Sequence, residues 1–380
     1  MGYDPFNHFG NGVDQWTIGQ IAAAMAAGGM RAAGYRYVVV DDSWQGGRAA
    51  DGTLVPNAAF SCGIARLAAY VHSRGLLFGL YTSPAAVSCG GHPGSAGHET
   101  QDAATFARWG VDYLKLDWCG ADTSPAGAAA IARRWRAALD ATGRPVVLSV
   151  NAGPGRSVAG WASRTVSSWR TGLDVCASWY NQTRAPAKAA TSCVDPVNYL
   201  GIYDYLTSDI RWDLGYVRPG HWADPDMLEV GNAGLDPDEA RTQLAMWAMW
   251  AAPLVAGNDP RTMRPGDPAS ATLLNPEIIA VDQDPLGQPA HLVSSRAGLQ
   301  VWARPLAGGA ATTTEAVAVV NLTDAGVCPT LTWHDLGITD VTSARDLWAH
   351  ASLPAAPTGV PLTIPAHGTA VLRLTSQPSA

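Results

Sequence analysis

The chain has 380 residues, a net charge of −7 from 25 basic and 32 acidic residues, and a composition that is 47% hydrophobic but only 15% charged. That length suits one large barrel plus a smaller module. The composition argues against disorder, and the acidic balance argues against a nucleic-acid phosphate backbone as partner. Fifteen Trp against five Phe supply large flat apolar faces with one N–H donor each, a combination that suits sugar rings as well as cores.

In chain order, short β-rich runs alternate with Ala-rich helical patterns. A first strand is expected near Met1, then a helical stretch over Val13–Ala33 and a strand over Tyr37–Asp41. A helix over Gly63–Arg74 leads into a strand over Leu77–Tyr81, and a helix over Thr100–Trp109 into a strand over Asp112–Asp117. Ala128–Leu139 reads as helix and Pro145–Val150 as strand. Thr165–Arg170 is a sixth strand, Asp226–Val230 a seventh, Asp236–Trp250 a helix and Pro253–Ala256 an eighth strand. A repeat of about eight βα units closes naturally into an α/β fold of the parallel (β/α)8 TIM-barrel type. A doubly wound open sheet is the runner-up, disfavoured because no Gly-rich phosphate loop follows the first strand.

After Gly287 helical periodicity fades, and alternating runs such as Gln300–Arg304, Ala316–Asn321 and Thr369–Thr375 predict a C-terminal antiparallel β-sandwich. The expected division is a catalytic barrel over 1–287 and a β domain over 288–380. No apolar run reaches the roughly 18 residues of a membrane span; the best candidate, Leu244–Gly257, is shorter and holds Pro253. No membrane partner is expected, and no signal peptide is visible in the chain. Of six cysteines, Cys89 and Cys119 follow two predicted strands and could pair, and Cys176 and Cys193 could close a loop. Such disulfides imply a secreted or extracellular protein.

Polar residues at the C-terminal ends of barrel strands face the functional mouth of such a fold. Here the second strand ends in Asp41-Asp42, the third in Tyr81, the fourth in Lys115-x-Asp117 and the sixth in Arg170, followed by Asp174. Asp224-Pro-Asp226 marks the seventh. Any one Asp can be a helix N-cap, but acids at four strand ends point to a site. No His or Cys spacing suits zinc, and no cofactor or metal is expected. Carboxylates alone leave a divalent cation open. A pair of carboxylates acting on a neutral polyhydroxylated substrate fits better, as in glycoside hydrolysis.

On these residues the chain resembles glycoside hydrolase family 27, the α-galactosidases and α-N-acetylgalactosaminidases. Met1–Phe9 (MGYDPFNHF) is similar to the family's opening MGWNSWNHF, Asp41–Trp44 to DDCW, and Gly110–Cys119 to GVDYLKYDNC. Trp169–Asp174 is similar to WRTTGDI, and Trp222–Gly231 to WNDPDMLEVG. The resemblance implies a retaining exo-α-glycosidase acting on an oligosaccharide or polysaccharide. It implies Asp117 as nucleophile and Asp174 as acid/base. Asp41 and Asp42 would hold the 4- and 6-hydroxyls, and Lys115 would hold the 3- and 4-hydroxyls and keep Asp117 ionised. Phe6, Tyr81, Asn151, Arg170 and Asp226 complete the implied substrate contacts, and Cys89–Cys119 becomes the disulfide beside the nucleophile.

The departures bear on the glycone. Phe6 replaces an aromatic-floor Trp, and Asn11 and Ser43 stand where the family has cysteines. Asn151-Ala152-Gly153 replaces a Cys-Glu-Trp whose acid reads the 2-hydroxyl. Small residues there also suit a 2-acetamido sugar or another glycone, such as that of an isomalto-dextranase or a β-L-arabinopyranosidase. An insertion is expected between Tyr180 and Tyr205.

Overall fold

The structure is a computed structural model that describes residues 1–153, 156–181, 199–309, 312–354 and 357–377. Eight parallel strands form one curled sheet: β1 (Gly2–Tyr3), β2 (Tyr37–Val40), β3 (Leu77–Thr82), β4 (Tyr113–Asp117), β5 (Val147–Asn151), β6 (Ser168–Arg170), β7 (Trp222–Asp224) and β8 (Val255–Ala256). Neighbours pair in chain order, and β1 pairs with both β2 and β8. A parallel bridge between Leu228 and Ala256 joins the segment after β7 to β8 and closes the barrel.

The strands form where β-branched and aromatic residues cluster, and the pleat then sorts their side chains. On β4, Leu114 and Leu116 are fully buried among apolar neighbours, while Lys115 and Asp117 share the opposite face. Register sets Lys115 level with Tyr81 of β3 and Ser149 of β5, and Asp117 level with Asn151.

The long helical stretch expected over 13–33 is two helices. Asp14 caps the first, α1 (Gln15–Ala27), by accepting from Thr17 N at 2.7 Å. Gly29, at φ 93, breaks the chain before the second. The seventh strand lies at Trp222–Asp224 rather than at Asp226–Val230. Pro225 cannot donate to a ladder, and Asp226 adopts φ 76, so the strand breaks after Asp224 and the Met227–Val230 run touches the sheet only through the Leu228–Ala256 bridge. The apolar stretch after Asp236 is α2 (Pro237–Met249), buried from Thr242 to Met249 between the barrel and the β domain. Among the described residues no helix is long and apolar enough to cross a membrane.

The C-terminal module is an antiparallel sheet of β9 (His291–Arg296), β10 (Leu299–Leu306), β11 (Thr313–Asn321), β12 (Val341–Asp346), β13 (Ala351–Leu353) and β14 (Thr369–Ser376), in the order β9-β10-β11-β14-β12-β13. A two-stranded sheet, Thr330–Thr332 with Gly359–Pro361, lies over it. Alternation along β11 buries both faces. Val317 and Val319 pack under the small sheet with Leu331 and Trp333. Ala316, Ala318 and Val320 join the barrel core. Trp302 completes that junction, 5.8 Å from the Trp250 ring, which lies 5.3 Å from Trp247. Each such fully buried aromatic contributes roughly 1.5–3 kcal/mol of apolar burial.

Candidate active site

The strand ends converge on an open cavity of about 510 Å³. Phe6, Asp41, Asp42, Tyr81, Lys115, Asp117, Asn151, Arg170, Asp174 and Asp226 all line it. Ala152 does not: it is buried, and the walls there are Asn151 and Gly153. Of the Trp residues beside the acids, Trp118 reaches the cavity, while Trp44 and Trp169 are core.

One side of the cavity is built on Lys115. Its Nζ donates to Asp41 Oδ2 at 2.5 Å and lies 3.5 Å from Asp4 Oδ2. Burial raises the Asp4 pKa well above the ordinary value, and the Asp41 charge raises it further. Asp41 goes the other way: burial opposes its charge, but Lys115, Asp4 and the Asp42 amide lower its pKa. The two carboxyls are therefore driven in opposite directions, Asp4 toward its neutral form and Asp41 toward its charged one. Asp42 is fixed separately, accepting from Ser43 N at 2.7 Å and Gly90 N at 2.7 Å. Ser43 pays a conformational cost at φ 74, and its Oγ donates to Asn11 Oδ1 at 2.7 Å. A hydrogen bond thus joins the two positions where the family resemblance expects cysteines.

The other side is built on Arg170, which is buried between two carboxylates. Nη1 donates to Asp174 Oδ1 at 2.7 Å, and Nη2 lies 2.8 Å from Asp226 Oδ1. Asp226 also accepts from Val175 N at 2.8 Å, which ties the residue after Asp174 to β7's exit. Burial pushes the Asp226 pKa up to about 6, against the pull of Arg170. The Tyr205 hydroxyl donates to the carbonyl of Leu173. Gly172 must be glycine there, because a Cβ would stand 2.7 Å from the Tyr205 ring.

Asp117 lies between these two sides. No hydrogen bond to its carboxylate is found among the described residues. Burial pushes its pKa up to about 6, with Lys115 lowering it and Asp41 raising it. Lys115 favours the ionised form of Asp117 from a distance, its ammonium hydrogen-bonded to Asp41, while desolvation is the larger influence. At pH 7 the carboxylate remains largely ionised.

Cys89 and Cys119 form a disulfide with Cα atoms 5.0 Å apart. Their sulfurs cluster with the Asp117 carboxylate but, being bonded to each other, offer no thiolate to a metal. The Cys176–Cys193 pairing falls on Cys193, which lies outside the described residues, as does most of the expected insertion.

Sequence reasoning missed three polar partners, two of them, Asp4 and Glu229, buried. Asp4 sits at the end of β1, where a strand of two residues leaves no pattern to extend. Asn7 lines the cavity and donates to Glu229. Glu229 is fully buried, with a pKa pushed up to about 7 by burial.

A ring of carboxylates and buried cations around an open pocket at the mouth of a (β/α)8 barrel marks a glycoside hydrolase. Comparison with known proteins narrows this. Residues 5–284 match the family model described as alpha galactosidase A, and residues 296–374 match the alpha galactosidase C-terminal beta sandwich domain. An α-galactosidase of Cyamopsis tetragonoloba is 37% identical over 364 residues, covering 93% of this chain and 80% of its own. Among solved structures, α-galactosidase I of Mortierella vinacea superposes with a TM-score of 0.91 at 32% identity, covering 100% of this chain and 98% of its own. An α-galactosidase of Saccharomyces cerevisiae, solved with raffinose, has a TM-score of 0.87 at 26% identity, covering 100% of this chain and 97% of its own. The chain belongs to the α-galactosidase family, glycoside hydrolase family 27.

Proposed function

We propose that the protein is an exo-acting, retaining α-galactosidase that works by double displacement. The observation that carries this reading is Asp117, a half-buried, largely ionised carboxylate without a hydrogen-bond partner among the described residues, in the same cavity as an Asp174 held by Arg170. Asp117 attacks the anomeric carbon as the bond to the leaving oxygen breaks, and Asp174 gives that oxygen its proton. Water then attacks the glycosyl ester, Asp174 takes its proton, and Asp117 departs. Two inversions retain the α configuration. Asp41 and Asp42 accept from sugar hydroxyls, Lys115 donates to them, and Phe6 gives the ring an apolar face.

The barrel over 1–287 supplies all of these groups, and the β domain over 288–380 packs behind α2. The relative solved with raffinose supports α-galactosyl oligosaccharides as substrates. The Cys89–Cys119 bond supports a secreted or extracellular protein.

Replacing Asp117 by Asn is expected to lower kcat by roughly 10⁴ or more while substrate binding survives. Azide rescue of Asp117→Ala should give the β-galactosyl azide, and rescue of Asp174→Ala the α-galactosyl azide. Turnover of Asp117→Asn near wild type, or the opposite pairing of azide anomers, overturns the assignment. A second reading keeps the mechanism and changes the glycone, because Ala152 stands where an acid reading the 2-hydroxyl is expected and only Asn151 and Gly153 of that stretch line the cavity. A panel of nitrophenyl α-galactoside, α-N-acetylgalactosaminide and β-L-arabinopyranoside separates the two by their kcat/KM values.

A further inference from the structure

Asp174 stands outside the barrel strands, and its side chain is 43% exposed. The segment it opens runs from Asp174–Val175, paired with Tyr199–Leu200, to Trp179 and Tyr180. That segment ends against a turn of the C-terminal domain. His367, at the tip of the turn before β14, stacks on Trp179 with ring centroids 4.4 Å apart and planes inclined by 12°. His367 Nδ1 lies 2.7 Å from Glu239 Oε1 of α2, and Nε2 lies 2.9 Å from Asp324 Oδ1 of the β domain.

Carboxylates accept and do not donate, so two such contacts call for a proton on both ring nitrogens. Burial opposes that charge, but Glu239 and Asp324 outweigh it and the imidazole pKa is raised. A cation flat against an indole adds to the stacking. Both partners are themselves fixed. Glu239 closes the capping box of α2, with Oε2 accepting from Asp236 N at 3.0 Å. Asp324 Oδ1 also accepts from the Tyr180 hydroxyl at 3.1 Å. The His367 carbonyl accepts from Thr242 Oγ1 of α2 at 2.6 Å. One residue of the β domain is thus joined to the barrel and to the segment that begins at Asp174.

We propose that His367 is a positioning residue for the acid/base. It clamps Trp179 and Tyr180 and so fixes the far end of the segment whose near end is held by Arg170 and Asp226. The C-terminal domain then has a task in the reaction besides covering apolar surface. The proposal rests on the reading of Asp174 as acid/base.

The test compares kcat/KM on an unactivated disaccharide such as melibiose, which needs a proton on its leaving oxygen, with kcat/KM on 2,4-dinitrophenyl α-galactoside, which does not. His367→Asn is the first variant, because Asn tolerates the φ of 57° found there. It is expected to lose about tenfold on the disaccharide and less than about twofold on the activated substrate. Equal losses on both substrates, or loss on neither, overturn the proposal. If His367→Asn lacks a native circular dichroism spectrum, the exposed Asp324→Asn decides by the same pair of numbers. Asp174→Ala is run alongside. An unselective loss there removes the acid/base reading itself. Selective loss in Asp174→Ala without selective loss in the His367 or Asp324 variant removes only the clamp.

Discussion

Lys115 on β4 and Arg170 on β6 each stand buried between two carboxylates, yet they treat the neighbouring catalytic candidate differently. Lys115 directs its contacts to Asp41 and Asp4, and among the described residues Asp117 has no hydrogen bond. Arg170 grips Asp174 directly, at 2.7 Å, and uses the other arm of its fork on Asp226 at 2.8 Å. The difference suits the two tasks proposed for Asp117 and Asp174. A nucleophile must be free to form a bond, so its charge is steadied from a distance and through desolvation. A proton carrier must be aimed, and a planar guanidinium anchored by its other arm to Asp226 fixes the direction of its one hydrogen bond to Asp174.

The strongest way to break this contrast is on the lysine side. Lys115→Met leaves the Asp4–Asp41 pair buried with an uncompensated charge. We expect a loss of about 3–5 kcal/mol in denaturant unfolding and a fall in kcat/KM of roughly 10³. Activity within tenfold of wild type would mean that Asp41 does not depend on the ammonium. Next in size is Arg170→Lys. A point charge cannot hold both carboxylates in the geometry of the fork, so kcat is expected to fall about 10² with KM little changed. A loss confined to KM would place Arg170 on the substrate rather than on Asp174.

The positions of these residues were legible in sequence because strand ends are easy to find when strands are strong. Val38–Val40, Leu77–Tyr81 and Tyr113–Leu116 are long enough to show their β character, and the polar residues that follow them fall in one cavity. A strand of two residues, as at β1, shows no such pattern, and so Asp4 is not legible in sequence although it too stands at a strand end. The pattern misleads at β7, where Met227-Leu-Glu-Val reads more like a strand than Trp222-Ala-Asp does; the deciding facts, Pro225 and the positive φ of Asp226, concern backbone geometry. Glu229 reads as a surface acid until a partner 222 residues away, Asn7, is brought to it. The β domain's strands were visible, but which of their faces meets the barrel is a tertiary matter that alternation on β11 alone cannot decide.

A smaller effect tests the free state of Asp117 through proton linkage. Its pKa is about 6 in the folded protein and 3.8 is the ordinary value. Between those values the folded state binds a proton that the unfolded chain does not. The ionised carboxylate therefore disfavours folding above pH 6, and that penalty fades as pH falls through 6 toward 3.8. Asp117→Asn should raise Tm by about 2–4 °C at pH 7, with the gain vanishing near pH 4, even as it abolishes turnover. The wild-type kcat/KM should fall along an acid limb near pH 6, since the protonated carboxyl cannot attack. A limb near pH 4, with no Tm gain, would mean that Asp117 is held ionised by a direct partner after all.

The smallest expected effect separates the two acids that share Lys115. Asp4 and Asp41 are both buried, but the ammonium sits 2.5 Å from Asp41 and 3.5 Å from Asp4, and burial drives the Asp4 pKa up while that of Asp41 is lowered. If Asp4 is already neutral, an amide of the same shape keeps its hydrogen bond from Phe6 N at 3.0 Å and can still donate to Asp41. Asp4→Asn should then change kcat/KM by less than about threefold and unfolding by under about 1 kcal/mol. Asp41→Asn, which removes the charge that Lys115 answers, should cost at least about 10² in kcat/KM. Equal losses in the two variants would mean that the charge is spread over both carboxylates, and the lysine side would then resemble the arginine side more than the distances suggest.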